Sequence, residues 1–210
     1  MITVSENASS MGGSQILLET GEEMSVDDLL KGITIASGND AVVALAEAIA
    51  GTEENFVKMM NDKLKMLGLK DSNFKNCHGL DEEGHYSSAY DMAFIAKELV
   101  KHQKILDYSS IYETYLRTDT EDKFWLVNTN KLIRTYEGAT GLKTGSTSLA
   151  LYNLSASATR DNLSLIAVIM RGETSNIRFA EAQKLLDYGF NKYTYRFLNE
   201  KNIVHQIWSS

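Results

Sequence analysis

Hydrophobic periodicity shifts midway along this chain, and the shift limits what it can fold into. Up to about residue 102 apolar residues recur three and four positions apart, the spacing of a helix face; from about residue 111 they alternate, the spacing of half-buried strands. Ser25 with Asp28 three residues on opens a helix over about 26–36, Gly38 interrupts it, and a second helix fits Asp40–Ala50. Thr52 with Glu53 and Glu54 opens a third, which keeps its period through Phe56, Met59, Met60, Leu64 and Leu67 until Gly68 stops it. Ser88 with Asp91 caps a fourth that runs to about His102. Strands are expected over 112–118, 124–127, 140–143, 152–159 and 163–170, the last two joined by a tight turn at Arg160-Asp161-Asn162, and a helix over about 175–190 closes the series. Before the first helix, Gln15-Ile16-Leu17-Leu18 reads as a short strand after a glycine-bearing loop. Helices first, then an antiparallel meander and a closing helix, describe an α+β domain.

Composition narrows the function classes. The chain has 21 basic against 28 acidic residues, a formal charge of −7, which argues against a nucleic-acid binder, since those normally carry a basic patch. No apolar run approaches the ~20 residues needed to cross a bilayer, so no membrane segment is expected. Met1-Ile2-Thr3-Val4-Ser5-Glu6 lacks the basic and apolar stretches of a signal peptide. A lone cysteine, Cys77, leaves no intramolecular disulfide. Cys77, His78 and His85 share a glycine-containing loop, but three ligands without a fourth at standard spacing favour packing roles, so no metal and no cofactor is expected.

Two short motifs carry chemistry by their order: Ser37-Gly38-Asn39 between two helices, and Lys143-Thr144-Gly145-Ser146 at the end of a strand. Acyl transfer needs a hydroxyl nucleophile, a base within hydrogen-bond reach, and cationic and hydroxyl groups to hold an anionic substrate. Ser37 suits a proton shuttle, Asn39 a donor to a substrate amide, and Lys143 with Thr144 a carboxylate site. They match two of the three elements of penicillin-recognising serine enzymes.

The flanking residues extend the match. Gly13-Ser14-Gln15-Ile16, Ile35-Ala36-Ser37-Gly38-Asn39-Asp40-Ala41, His78-Gly79-Leu80-Asp81, Tyr86-Ser87-Ser88-Ala89, Asn128-Thr129-Asn130-Lys131-Leu132, Gly141-Leu142-Lys143-Thr144-Gly145-Ser146-Thr147 and Ser155-Ala156-Ser157-Ala158-Thr159 follow one another over about residues 3–192. In this order they resemble the low-molecular-weight D-alanyl-D-alanine carboxypeptidases, peptidase family S11. The resemblance implies a β-lactamase/transpeptidase-like domain that trims the terminal D-alanine of peptidoglycan stem peptides through an acyl-serine, is acylated by β-lactams, and works outside the cytoplasm. It places Ser37 and Asn39 as catalytic groups on one wall of a cleft. Lys143, both catalytic and substrate-binding, lies with Thr144 and Gly145 on the facing strand, and a backbone N–H near Ser146 completes an oxyanion hole.

The chain departs from the family pattern in several places. The Ser-x-x-Lys element that supplies nucleophile and base is expected upstream of the segment resembling residues 3–16, so the chain is read as lacking the N-terminal part of the domain. Ser72-Asn73-Phe74-Lys75 has that spacing but falls where the family has an ordinary loop. Cys77 stands where proline is usual, and Leu149-Ala150-Leu151 replaces a more polar stretch. Residues 1–192 are read as a partial D,D-peptidase domain, and 193–210, where Tyr188, Phe190, Tyr193, Tyr195 and Phe197 lead in by alternation, as the start of a strand or linker toward a β domain outside this chain. A domain without its nucleophile helix is expected to expose apolar surface and an unpaired edge, and to self-associate through them. Three readings follow: a partial serine hydrolase, inactive or nearly so alone; a non-catalytic binder of stem peptide; and a protein-interaction module using the exposed groove.

Overall fold

A computed structural model describes residues 1–197 of the chain. In order, the elements are β1 (Ile2–Thr3), α1 (Glu6–Ser9), β2 (Glu23–Met24), α2 (Val26–Lys31), a π-helical turn (Gly32–Ala36), α3 (Asn39–Ala50), α4 (Glu53–Met66), α5 (Ala89–Leu99), α6 (Gln103–Ser109), β3 (Glu113–Leu116), β4 (Phe124–Val127), α7 (Leu132–Thr135), β5 (Ala139–Thr147), β6 (Leu151–Arg160), β7 (Leu163–Gly172) and α8 (Ser175–Lys192). The α+β order expected from periodicity is present.

Helix starts follow the expected caps. Ser25, Thr52 and Ser88 each accept a hydrogen bond from the backbone N–H three residues on, at 3.0, 3.2 and 3.1 Å, so each satisfies a donor the first helical turn leaves free. The same device at Thr174 starts α8. Short α6 and α7 carry no side-chain cap, and sequence reading misses both. Tyr188 and Phe190 do not lead into a strand: α8 continues through them to Lys192, because Gly189 lets its backbone approach Leu165 of β7, where an added Cβ would sit 2.5 Å from Leu165 Cδ1. Residues 193–197 have no regular structure, and the rest of the expected linker, 198–210, lies outside the described residues.

Three sheets form. β1 pairs antiparallel with β2; β3 pairs antiparallel with β4, with Tyr115 opposite Trp125; and β5-β6-β7 make an antiparallel meander. Asp161 and Asn162, both at positive φ, turn β6 into β7 as their residue types suggest. Alternation places Leu154, Ala156 and Ala158 of β6 against Phe179, Ala182 and Leu186 of α8, one of two apolar cores. The other gathers Ile16, Leu18, Leu29, Ile35, Val43, Leu116 and Leu126 from the helices and the β3–β4 hairpin.

Gln15–Leu18 is not a strand, and the reason lies in where its backbone bonds go. Ile16 N–H and Leu18 N–H donate to the carboxylate of fully buried Asp40, while the carbonyls of Ile16 and Leu17 accept from the Arg117 guanidinium at 3.1 and 3.0 Å. Two side chains therefore do what a neighbouring strand would have done. Arg117 also clasps Glu22 at 2.7 and 2.9 Å, tying the hairpin to the N-terminal segment and holding the Glu22 carboxyl below its ordinary range.

Candidate active site

The cleft has one helical wall and one strand. On the helical side, the π-helical turn carries one residue more per turn than an α-helix and ends at Ser37, a non-glycine residue in the left-handed region (φ 64°, ψ 37°). Such a conformation is costly and persists only where its surroundings over-determine it. Here Gly38 N–H returns to Gly32 O at 3.1 Å and Asn39 N–H donates to Ser14 O at 2.7 Å, pinning the two residues that follow Ser37. Asp40 then anchors the wall from beneath, accepting from Ile16, Leu18 and Ala41 N–H groups.

On the strand side, β5 brings Lys143, Thr144, Gly145 and Ser146 along the outer strand of the meander, paired with Ser155, Leu154, Asn153 and Tyr152 of β6. Gly141 is where β5 passes closest to α6: a Cβ there would lie 2.4 Å from Ser109 Oγ, a collision only glycine avoids. Ser109 Oγ instead donates to Thr140 O at 2.7 Å and fixes the start of the strand.

Across the cleft, Lys143 Nζ donates to Ser37 Oγ at 2.7 Å and to Thr144 O at 2.8 Å. Among the described residues no carboxylate lies within ion-pair distance of Lys143. Burial first, and the nearby Arg178 cation second, push the ammonium down to a pKa of about 8. Thr144, itself buried, donates its hydroxyl to Thr129 Oγ1 at 2.7 Å, and Thr129 is in turn held to the helical wall through its N–H on Ile35 O at 3.1 Å. The amine is thus held by the Ser37 hydroxyl and the Thr144 carbonyl without a counter-charge among the described residues, while the hydroxyl of Thr144, next to it in sequence, bonds that of Thr129.

Of the residues expected at the site, Ser37, Lys143 and Thr144 are brought together, and Gly145 and Ser146 follow on the exposed end of the same strand. Asn39 is differently engaged: its Nδ2 donates to Gly12 O at 2.8 Å, and Gly13, whose Cβ would come within 2.6 Å of that nitrogen, leaves room for it. Ser72 stands elsewhere, donating to Asp91 Oδ2 at 2.8 Å and sharing a hydrogen bond with Ser87 Oγ at 2.7 Å at the start of α5. Cys77 donates both N–H and thiol to Glu53 Oε1 at 3.0 and 3.2 Å; burial and that carboxylate hold its thiol protonated well beyond the ordinary range. His78 Nε2 lies 3.6 Å from the same carboxylate, whereas His85 packs edge-on against Phe74, so Cys77 and His78 share the Glu53 carboxylate and His85 stands apart from them.

Sequence reading passes over three residues that shape the site. Thr129 sits in a quoted segment, but nothing in its neighbours marks it as facing Thr144. Arg178 bonds Gly145 O and Asn153 O, both at 3.1 Å, and lies over the Tyr152 and Phe179 rings. Asp81 accepts from Thr147 Oγ1 at 2.6 Å and Ser148 Oγ at 3.3 Å, fastening the end of β5 to the loop after α4.

Known proteins resemble this chain in sequence and fold. Residues 1–174 match the family model described as D-alanyl-D-alanine carboxypeptidase, peptidase S11. The chain is 56% identical over 201 residues to D-alanyl-D-alanine carboxypeptidase DacF of Bacillus subtilis, covering 96% of this chain and 52% of that protein. It is similar to the crystal structure of penicillin-binding protein 6B from Escherichia coli with a TM-score of 0.86 at 35% identity, covering 99% of this chain and 67% of that one. The Streptomyces K15 DD-transpeptidase superposes with a TM-score of 0.82 at 29% identity over 90% of this chain and 78% of its own. The chain spans about half the length of the curated relatives it matches. With the Ser37 turn and the Lys143 strand meeting as they do, these matches show that the chain belongs to the D-alanyl-D-alanine carboxypeptidase family, peptidase S11.

Proposed function

We propose that this chain supplies the substrate-holding cleft of a serine-type D-alanyl-D-alanine carboxypeptidase that trims peptidoglycan stem peptides outside the cytoplasm and is inhibited by β-lactams. The observation that carries the reading is the Lys143 ammonium, desolvated, hydrogen-bonded to Ser37 and without a carboxylate partner. A buried cation lacking a counter-charge favours an anionic ligand, and the free carboxylate of a terminal D-alanine supplies that anion. The neighbouring Thr144 hydroxyl can turn from Thr129 to the same carboxylate.

The polar relay gives the remaining roles. Ser37 Oγ accepts from Lys143, which leaves its own hydroxyl proton free to donate to the departing D-alanine amine; Lys143 then returns a proton to Ser37. An ammonium with a pKa near 8 holds its proton at neutral pH yet releases it more readily than a solvated lysine. The backbone N–H near Ser146 faces the acyl carbonyl as an oxyanion donor. Asn39 contributes from the helical wall, where its amide orders the Gly12–Ser14 loop. Residues 1–192 form the domain that does this.

Equilibrium binding of a pentapeptide ending in D-Ala-D-Ala, compared between the chain and Lys143→Ala, tests the reading. A loss of about tenfold or more in affinity is expected from removing one charge-assisted contact; unchanged affinity would overturn the cleft assignment. Intact mass after incubation with benzylpenicillin examines the catalytic step. No covalent adduct is expected from this polypeptide, because its single Ser-x-x-Lys begins at Ser72, whose hydroxyl is held by Asp91 and Ser87. A stoichiometric adduct on Ser37 or Ser72 would make the chain an enzyme in its own right, with its nucleophile among these residues.

A further inference from the structure

The β3–β4 hairpin buries one face and displays the other. Leu116, Phe124 and Leu126 turn into the helical core, whereas Tyr115 and Trp125, direct cross-strand partners, are 51% and 55% exposed on the opposite face. Among the described residues neither the Tyr115 hydroxyl nor the Trp125 indole N–H has a hydrogen-bond partner. Exposed Glu113 lies two residues before Tyr115 on the same side of the ladder, and exposed Lys123 immediately precedes β4. Two aromatic rings left in water side by side, rimmed by one acceptor and one donor, are an interaction surface in want of an occupant.

The size of the surface selects the kind of occupant. Two aromatic side chains of about 150–250 Å² each, half exposed, offer roughly 200 Å², well short of the ~800 Å² per partner that a stable protein interface needs. One or two pyranose rings fit that area. A pyranose presents C–H bonds from its face, which complement the negative face of an aromatic ring, while its hydroxyl and N-acetyl groups reach outward to groups such as Glu113 and Lys123.

Position selects which saccharide. β4 runs from Trp125 through Val127 toward Thr129, whose hydroxyl touches Thr144 in the cleft. Four residues of extended chain span about 13 Å, and an extended pentapeptide about 17 Å. A stem peptide with its D-alanine end beside Lys143 therefore brings the sugar it is attached to within reach of the hairpin face. We propose, resting on the cleft assignment above, that Tyr115 and Trp125 form a stacking platform for the N-acetylated glycan strand that carries the stem peptide. The chain then holds its polymer at two points: the peptide terminus at Lys143 and a sugar ring at the hairpin.

Binding to three probes, measured for the chain, Trp125→Ala, Tyr115→Ala and Trp125→Tyr, tests this. The probes are the free stem pentapeptide, the same pentapeptide on its N-acetylglucosaminyl-N-acetylmuramyl disaccharide, and tri-N-acetylchitotriose. The disaccharide pentapeptide is expected to bind about tenfold tighter than the free peptide, the gain appropriate to one stacked ring. Trp125→Ala should erase that gain and leave free-peptide affinity within twofold, Tyr115→Ala should erase part of it, and Trp125→Tyr should retain most. If both peptides bind equally to the parent chain, or if Trp125→Ala weakens them alike, the platform is overturned while the cleft assignment stands. If only chitotriose binds, and loses affinity in Trp125→Ala, the platform stands and the cleft assignment falls. If the parent chain self-associates and Trp125→Ala abolishes that without altering any sugar affinity, the face is a protein contact and the proposal is overturned.

Discussion

The two walls of the cleft are built by different physics. The strand wall is held by a repeating backbone ladder: β5 pairs with β6 over eight positions from Ala139↔Ala158 to Thr147↔Leu151, and β6 pairs with β7 behind it. The helical wall has no ladder. Its shape rests on single side chains, with Asp40 gathering three N–H groups, Asn39 ordering Gly12, and Arg117 gripping two carbonyls and Glu22. A ladder distributes the work of positioning over many backbone bonds; a stapled loop concentrates it, so one substitution releases the whole segment.

The sharpest way to break that contrast is Asp40→Ala. It leaves the Ile16, Leu18 and Ala41 N–H groups buried without their acceptor, a cost of about 4.5 kcal/mol when each charge-assisted bond is worth ~1.5. A lower urea midpoint at unchanged m is expected, with amide exchange fastest at Ile16 and Leu18 and protection kept across β6. If β5 and β6 lose protection together with residues 16–18, the walls are one cooperative unit and the contrast fails. Leu154→Ala attacks the other wall. It empties a fully packed position between β6 and α8 and should cost about 3 kcal/mol, yet leave the residue 16–18 amides protected to the same degree relative to global stability.

The same contrast explains what the sequence discloses. β6 and β7 are legible because a ladder writes itself as alternation, and Leu154, Ala156 and Ala158 carry that alternation openly. The helices around Ser25, Thr52 and Ser88 are legible because their caps are local, within three residues. Gln15–Leu18 misleads because its partners, Asp40 and Arg117, lie 24 and about 100 positions away, and no periodicity records a bond that long. The π-helical turn is equally silent: Gly32–Ala36 reads as ordinary helix, although its extra residue is what turns Ser37 toward Lys143. Ser37, Lys143 and Thr144 are legible as motif residues; Thr129, which ties the Thr144 hydroxyl to the helical wall, is not, since its importance comes only from facing Thr144.

Arg117→Met sharpens the comparison on the helical side at smaller amplitude. It removes a nearly buried ion pair and two bonds to the Ile16 and Leu17 carbonyls, with an expected cost of about 2 kcal/mol at neutral pH. The Glu22 carboxyl, held below the ordinary 4.5 chiefly by the Arg117 hydrogen bond, contributes stability that is present above that value and lost as pH falls through its lowered one. The difference between parent and variant in urea midpoint should therefore narrow when the pH is brought down through 4.5 and below. A difference that stays constant with pH would mean that the carbonyl bonds, not the ion pair, do the stapling.

Lys143→Met gives the smallest effect and the opposite sign. The ammonium is desolvated without a carboxylate partner, and its two hydrogen bonds to Ser37 and Thr144 offset only part of that cost, so an apolar side chain of similar length should stabilise the chain by about 1 kcal/mol at neutral pH. The sign of the pH dependence follows from the depressed value. In the unfolded chain the lysine keeps its proton up to about 10.5, whereas in the folded chain it releases it from about 8. Between those values the unfolded state binds more protons, so the parent gains stability as pH rises, and the advantage of Lys143→Met should be full below pH 8 and disappear as pH rises from 8 toward 10.5. Ligand affinity moves the other way, because a carboxylate needs the ammonium: pentapeptide binding should weaken as pH rises through 8 in the parent and be flat in the variant. A stabilisation that is absent, or independent of pH, would show that the amine is already compensated in the free protein, and the strand wall would then owe its anion preference to Thr144 alone.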